Sequence, residues 1–182
     1  MDASNTMDLE PDYRRLKAAW ASGHRDREDA LHLLFLAWMH WADPTFVTGM
    51  EDDPDADGLW RMIFGYFDGE TSNDAEFLHV AGLMAGLFPE GLGDEVEWAS
   101  RATRMQTRSL DLKPDGFSPE FFEGRSDYGD YFAHQARGSA GRYANVRNGS
   151  GADRRLRVES GRNCDGGMDV LGFMAALLKV DG

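Results

Sequence analysis

The sequence contains a single cysteine, Cys164. One thiol can neither close an internal disulfide nor build a cysteine-based zinc cluster, so the fold depends on packing. Long apolar runs are missing as well. No stretch approaches the roughly 20 consecutive apolar residues that a membrane-spanning helix needs. Basic residues are scarce: 19 Lys and Arg stand against 32 Asp and Glu, a formal net charge of -13. That balance opposes binding to nucleic acid or to an anionic membrane. The opening stretch MDASNTMDLEPDYRR has acids where a signal peptide needs bases, which predicts a cytoplasmic protein. No segment alternates with period two for long enough to form a sheet. The GxSxG elbow, the phosphate-binding loop, the dinucleotide fingerprint and HExxH are absent too, so no motif assigns a catalytic residue, a metal or a cofactor.

What remains is enough for a core. A chain of 182 residues suits one sizeable domain, and five Trp with eleven Phe supply large apolar surfaces. The charge divides unevenly. Residues 1–138 hold 12 basic against 27 acidic side chains, whereas residues 139–182 hold 7 against 5. The Gly, Ser, Asn and Arg of RGSAGRYANVRNGSGADRR mark the change. The sequence therefore predicts an acidic helical domain over 1–138 and a Gly/Arg-rich extension over 139–182, with 139–165 as a mobile linker or tail. Within that extension, MDVLGFMAALLKV places Val170, Phe173, Met174, Leu177 and Leu178 at helical spacing. Such a short helix could dock back on the body.

Helix signals fill the first 138 residues. PDYRRLKAAWAS opens on Pro11 and closes at Gly23. DREDALHLLFLAWMHWADP starts at a capping Asp26 and must stop before Pro44. Its middle is apolar nearly all round, as in a central buried helix. NDAEFLHVAGLMAGLFP offers Asn73 as a cap with Glu76 three residues on, the capping-box spacing. GDEVEWASRATRMQTRSL carries a narrow stripe of Val96, Trp98, Ala102 and Met105. SPEFF and SDYGDYFAHQARG each begin with Ser, and the second ends on Gly138. The fold class is all-α, either an antiparallel helical bundle or a short array of helical hairpins, with a flexible C-terminal extension.

DPDADG, residues 53–58, begins like a calcium loop. Asp53, Asp55, Asp57 and Gly58 satisfy its positions 1, 3, 5 and 6. Position 9 is Arg61, however, and position 12 is Phe64, which has no oxygen to offer. The simpler reading makes Asp53 a helix cap with Pro54 at the first helical position, leaving Asp55 and Asp57 in the first turn. LWRMIFGYF then supplies an apolar face.

The segment from Asp74 to Phe122 has the rhythm of a helical hairpin. Leu78, Ala81-Gly82 and Ala85 give a large-small-small spacing, Trp98 places an aromatic in the second helix, and LDLKPD provides a proline-bearing exit. In these features the stretch resembles a tetratricopeptide repeat, in which small residues let paired helices approach closely. Two departures stand out: Asp94 occupies a position that normally takes a small residue, and the span from Asp74 to Pro114 exceeds the usual repeat of about 34 residues. The resemblance implies a protein-binding scaffold.

Other constellations have structural readings. His32 and His40 lie eight apart on the most apolar helix and His79 on another, as core histidines do; His24 decorates a loop. Arg101, Arg104 and Arg108 share one helix face, where they balance acids such as Glu97 or grip an anion. Asp130 and His134 are four apart, so the carboxylate could orient the imidazole for acid-base work. Helix-surface pairing, with Phe132 in the core, is the simpler reading.

The densest charge lies at residues 51–76, where nine acids face Arg61 alone. Glu51, Asp52, Asp53, Asp55, Asp57, Asp68 and Glu70 are the candidate partner-binding residues. The functional expectation is a protein-binding module, a scaffold or adaptor, whose acidic surface meets a protein with a basic surface. The alternatives are a small acidic inhibitor of the immunity-protein or antitoxin type, masking a basic target, and an enzyme using the Asp130/His134 region.

Overall fold

The computed structural model describes residues 8–148, with side chains described as far as Gly138. These residues are helical, joined by turns, and contain no strand. They fall into two compact units that divide between Gly116 and Phe117.

The first unit is organised around a helix with almost no polar face. α2 (Arg27–Ala42) begins where Asp26 accepts hydrogen bonds from the amides of Glu28 and Asp29. It ends at Ala42 because Asp43, ahead of Pro44, takes the extended backbone that proline imposes on its predecessor. Every residue from Leu33 to Met39 is no more than 1% exposed. Such a helix needs neighbours on all sides. α1 (Glu10–Ala21) covers one side with Tyr13, Leu16 and Trp20. After the single turn of α3 (Thr45–Thr48), α4 (Ala56–Tyr66) covers another with Leu59, Trp60 and Ile63. Each fully buried large apolar side chain contributes roughly 1.5–3 kcal/mol.

α5 (Ala75–Leu87) and α6 (Glu95–Leu112) form an antiparallel hairpin through a 3-10 turn at Pro89–Leu92. The register is fixed by side chains. Ser109 Oγ donates to the carbonyl of Ala75 at 2.8 Å, and Gln106 Nε2 donates to that of His79 at 2.7 Å. At Gly82 the helices come so close that a Cβ would lie 2.7 Å from Gln106 Nε2 and 3.3 Å from the Ala102 carbonyl oxygen. An aromatic cluster ties this hairpin to α4. Trp60 stacks on Phe64 at 5.0 Å, both meet Trp98 at 5.8 Å, and Phe64 meets Phe77 at 5.6 Å. All five tryptophans of the chain belong to residues 20–98.

The second unit pairs a short α7 (Pro119–Phe122) with α8 (Ser126–Asn148). Gly124 and Ser126 both take positive φ in the turn between them. Gly129 lies so near α7 that a Cβ would sit 2.2 Å from the Phe122 carbonyl oxygen. Phe122 packs on Phe132 at 5.8 Å, and the Arg125 guanidinium lies over the rings of Phe121 and Tyr128 at 5.4 and 5.2 Å.

Four details depart from the sequence reading. Asp74, not Asn73, caps α5 by accepting from the Phe77 amide; Asn73 instead receives Arg108, and Glu76 is buried against Arg27. Val96 is 77% exposed, so the buried stripe of α6 is Trp98, Ala102 and Met105, continued by Ser109. α4 starts at Ala56 with Asp55 before it, two residues later than an Asp53 cap requires. Finally, α8 runs past Gly138 to Asn148, through the first part of the expected linker, because Gly138 and Gly141 each cost a helix only about 1 kcal/mol. The rest of that linker and the segment at 168–180 lie outside the described residues.

Candidate functional site

The candidate acids follow directly after α3 and along α4, and the structure sorts them into two groups. Asp53 and Glu70 are internal ties. Asp53 Oδ2 accepts the Tyr13 hydroxyl at 2.5 Å and also the Lys17 ammonium, while Oδ1 accepts the Asp55 amide at 3.0 Å. Burial works against the charged form of Asp53, but the hydrogen bonds from Lys17, Tyr13 and the Asp55 amide outweigh it and hold its pKa at about 2. Glu70 receives Arg101 at 2.5 Å and Arg104 at 2.8 Å. Here too burial is opposed and overcome, and the carboxyl is held below its ordinary range. Glu51, Asp52, Asp55, Asp57 and Asp68 are exposed. Glu51 pairs with Arg14 at 2.6 Å, and Asp57 faces Arg61 at 3.4 Å. Asp52, Asp55 and Asp68 are paired to no cation among the described residues.

These partners account for the arginine face of α6. Arg101 and Arg104 clamp Glu70, and Arg108 donates to the carbonyls of Ser72 and Thr71 and to Asn73. All three arginines hold the 69–74 turn against α6. Arg27, at the start of α2, ties down the start of α5 by donating to Asp74 at 2.7 Å and to Glu76 at 2.8 Å. The calcium-like motif has a similar fate: Lys17 sits on Asp53 and Arg61 on Asp57, where a divalent ion would have to bind. No group of three metal-ligating side chains forms among the described residues.

Sequence reasoning missed an apolar surface on α4. Met62 is 60% and Tyr66 45% exposed. Gly58 and Gly65 share that side of the helix, and among the described residues nothing lies within 4 Å of a Cβ built on either. The surface continues onto α1. Trp20 Nε1 donates to Met62 Sδ at 3.4 Å, the Trp20 and Tyr66 rings meet edge to face at 5.3 Å, and the Tyr66 hydroxyl donates to the Arg25 carbonyl. Arg25 in turn covers the Trp20 ring at 3.8 Å. Helical spacing puts 58, 62 and 65–66 on one side of α4, but nothing local distinguishes that side from the apolar face that packs on α2.

Asp130 is exposed, and His134, half-buried, is pushed below the ordinary histidine range by burial and then by Arg137. Near the end of α2, His40 packs on Tyr13 at 4.5 Å with Nε2 buried and unbonded among the described residues, and burial lowers its pKa. Asp43 is buried with Oδ2 unbonded, and burial raises its pKa to about 6.

Compared with known proteins, the chain matches no family model, no curated protein and no solved structure. No helix of the described residues is long and apolar enough to cross a membrane.

Proposed function

We propose that this chain is a protein-binding helical module and that the outer side of α4 is its docking face. The observation that carries this reading is the exposed pair Met62 and Tyr66, with Trp20 beneath and two glycines beside them. Among the described residues this strip is met at its edge by Trp20 and Arg25, and Met62 and Tyr66 stay exposed; exposed apolar surface of this kind marks an interaction site. Helical glycines with open space above lower helix stability for no internal gain, and they let another backbone approach. The exposed Asp52, Asp55, Asp57 and Asp68 precede, share or follow this helix, so a partner with a basic surface is favoured and steered toward it. Asp53 and Glu70 leave the docking set, because their charges serve the fold.

The test is quantitative affinity capture of wild type beside Met62→Glu and beside the triple change Asp52→Asn, Asp55→Asn, Asp57→Asn. Met62→Glu should abolish capture of a defined protein, and the triple change should slow its association most at low salt, since screening acts over about 8 Å at physiological ionic strength. Capture indifferent to Met62→Glu would overturn the proposal.

A further inference from the structure

We infer that the chain carries its own occupant for this face: residues 168–180, MDVLGFMAALLKV, docking on Met62 and Tyr66 in the same molecule. This rests on the docking face proposed above and names its regulation. Three observations point to this segment. The first is shape. Gly58, Met62 and Gly65 lie at i, i+4 and i+7 on α4 with open space above both glycines. A row of large apolar side chains at helical spacing fits beside such a soft, indented strip, and Val170, Phe173, Leu177 and Val180 form one such row. The flanking Met174 and Leu178 widen it.

The second is charge. The chain leading to the segment is basic, in an acidic protein: residues 142–162 hold six arginines against Asp153 and Glu159. The face is preceded by Asp52 and Asp55 and followed by Asp68, all exposed and all without a cation among the described residues. Each side supplies what the other lacks, and the attraction is internal, so it acts at an effective concentration of about millimolar order.

The third is reach. Nineteen residues, 149–167, separate the end of α8 from the segment. Fully extended, nineteen residues span at most roughly 60–70 Å. That contour length is several times the radius of gyration, near 13 Å, of a compact unit of about 110 residues. A basic partner protein must then displace this segment, and the docking face is self-masked until it does.

The native Cys164, four residues before Met168 and the one thiol in the chain, allows a direct test on the full-length protein. A nitroxide attached there should broaden the backbone amide signals of Met62–Tyr66 and of Trp20–Arg25 in the isotope-labelled chain. Phe173→Asp with Leu177→Asp should restore those signals, and so should Met62→Gln with Tyr66→Ser, which alters exposed side chains and leaves the helical spectrum unchanged. The broadening must persist when the spin-labelled chain is diluted into an excess of chain lacking both label and isotope. Signals that stay sharp at α4, or that broaden at another surface, overturn the inference. Broadening that appears only between separately labelled chains also overturns it, in favour of a second copy as occupant. If the spin label fails to reach α4 while Met62→Glu still abolishes partner capture, the docking face stands and only its self-masking is lost.

Discussion

Tyr13 donates its hydroxyl hydrogen to Oδ2 of Asp53 across 40 positions of sequence, at 2.5 Å. Lys17, one helical turn further along α1, donates to the same oxygen. The loop before α4 is thereby fastened to α1. With its folded pKa held at about 2 against an ordinary 3.8, Asp53 contributes stability that is complete above pH 4 and disappears as the pH falls toward 2. The size is about 2 kcal/mol. Asp53→Asn should lower stability at pH 7 by about that amount and flatten the acid limb of a urea-denaturation series between pH 4 and 2.

Asp43 acts in the opposite sense. Its folded pKa is raised by burial from 3.8 to about 6, so the native state retains a proton that the unfolded chain has released. Stability should fall as the pH rises from 4 to 6, by about 3 kcal/mol. Asp43→Asn removes the ionisation and keeps the shape. It should match wild type near pH 4 and exceed it at pH 7.5, measured by denaturant midpoint at each pH.

Gly129 and Gly138 make a contrasting pair on α8. A methyl group at Gly129 would collide with the Phe122 carbonyl oxygen, which is backbone and cannot step aside. Gly129→Ala should therefore cost about 1–3 kcal/mol, seen as faster amide exchange over Tyr128–Arg137. At Gly138 nothing among the described residues lies within 4 Å of an added Cβ, so Gly138→Ala should slow exchange by up to about 1 kcal/mol of added helix stability.

Calcium should leave the melting temperature unchanged. Saturation at 100 times a dissociation constant adds roughly 2.7 kcal/mol and would be plain in a thermal scan. A rise of several degrees in millimolar calcium, absent with magnesium, would show that the ion displaces Lys17 from Asp53.

Gly58→Ala should separate folding from docking. The exposed helical position gains about 0.5–1 kcal/mol from alanine, so the variant should melt higher. If the outer side of α4 is the docking face, the same methyl group should weaken partner capture. A variant that gains stability and captures as well as wild type would place the partner elsewhere.

The all-α class was legible because its signals are local. Asp26 and Pro44 bound α2, and the apolar run between them is buried as its composition demands. The 81–82 small pair marks where α5 meets α6, since only small residues permit that approach. What was misread depends on distant partners. Asp53 has the local credentials of a cap, but Tyr13 and Lys17, 40 and 36 residues away, take its outer oxygen. Asn73 and Asp74 are adjacent and equally suited to capping α5. The choice falls to Asp74, while Arg108 reaches across from α6 to take Asn73. The acidic surface was read from charge density alone, which cannot separate Glu70, gripped by two arginines, from Asp68 two residues earlier. Met62 and Tyr66 escaped notice because α4 is apolar on both sides, and no periodicity says which side a neighbour will use.

The confinement of every tryptophan to residues 20–98 divides the molecule optically. Excitation at the red edge of the absorption band, where tyrosine is dark, illuminates the first unit and leaves α7 and α8 unseen. Emission from Trp20 in particular comes from directly under the α4 strip, beside the sulfur of Met62 and beneath the Arg25 guanidinium. The wild-type protein is thus a ready-made sensor for anything that settles on that strip, with no dye and no substitution required.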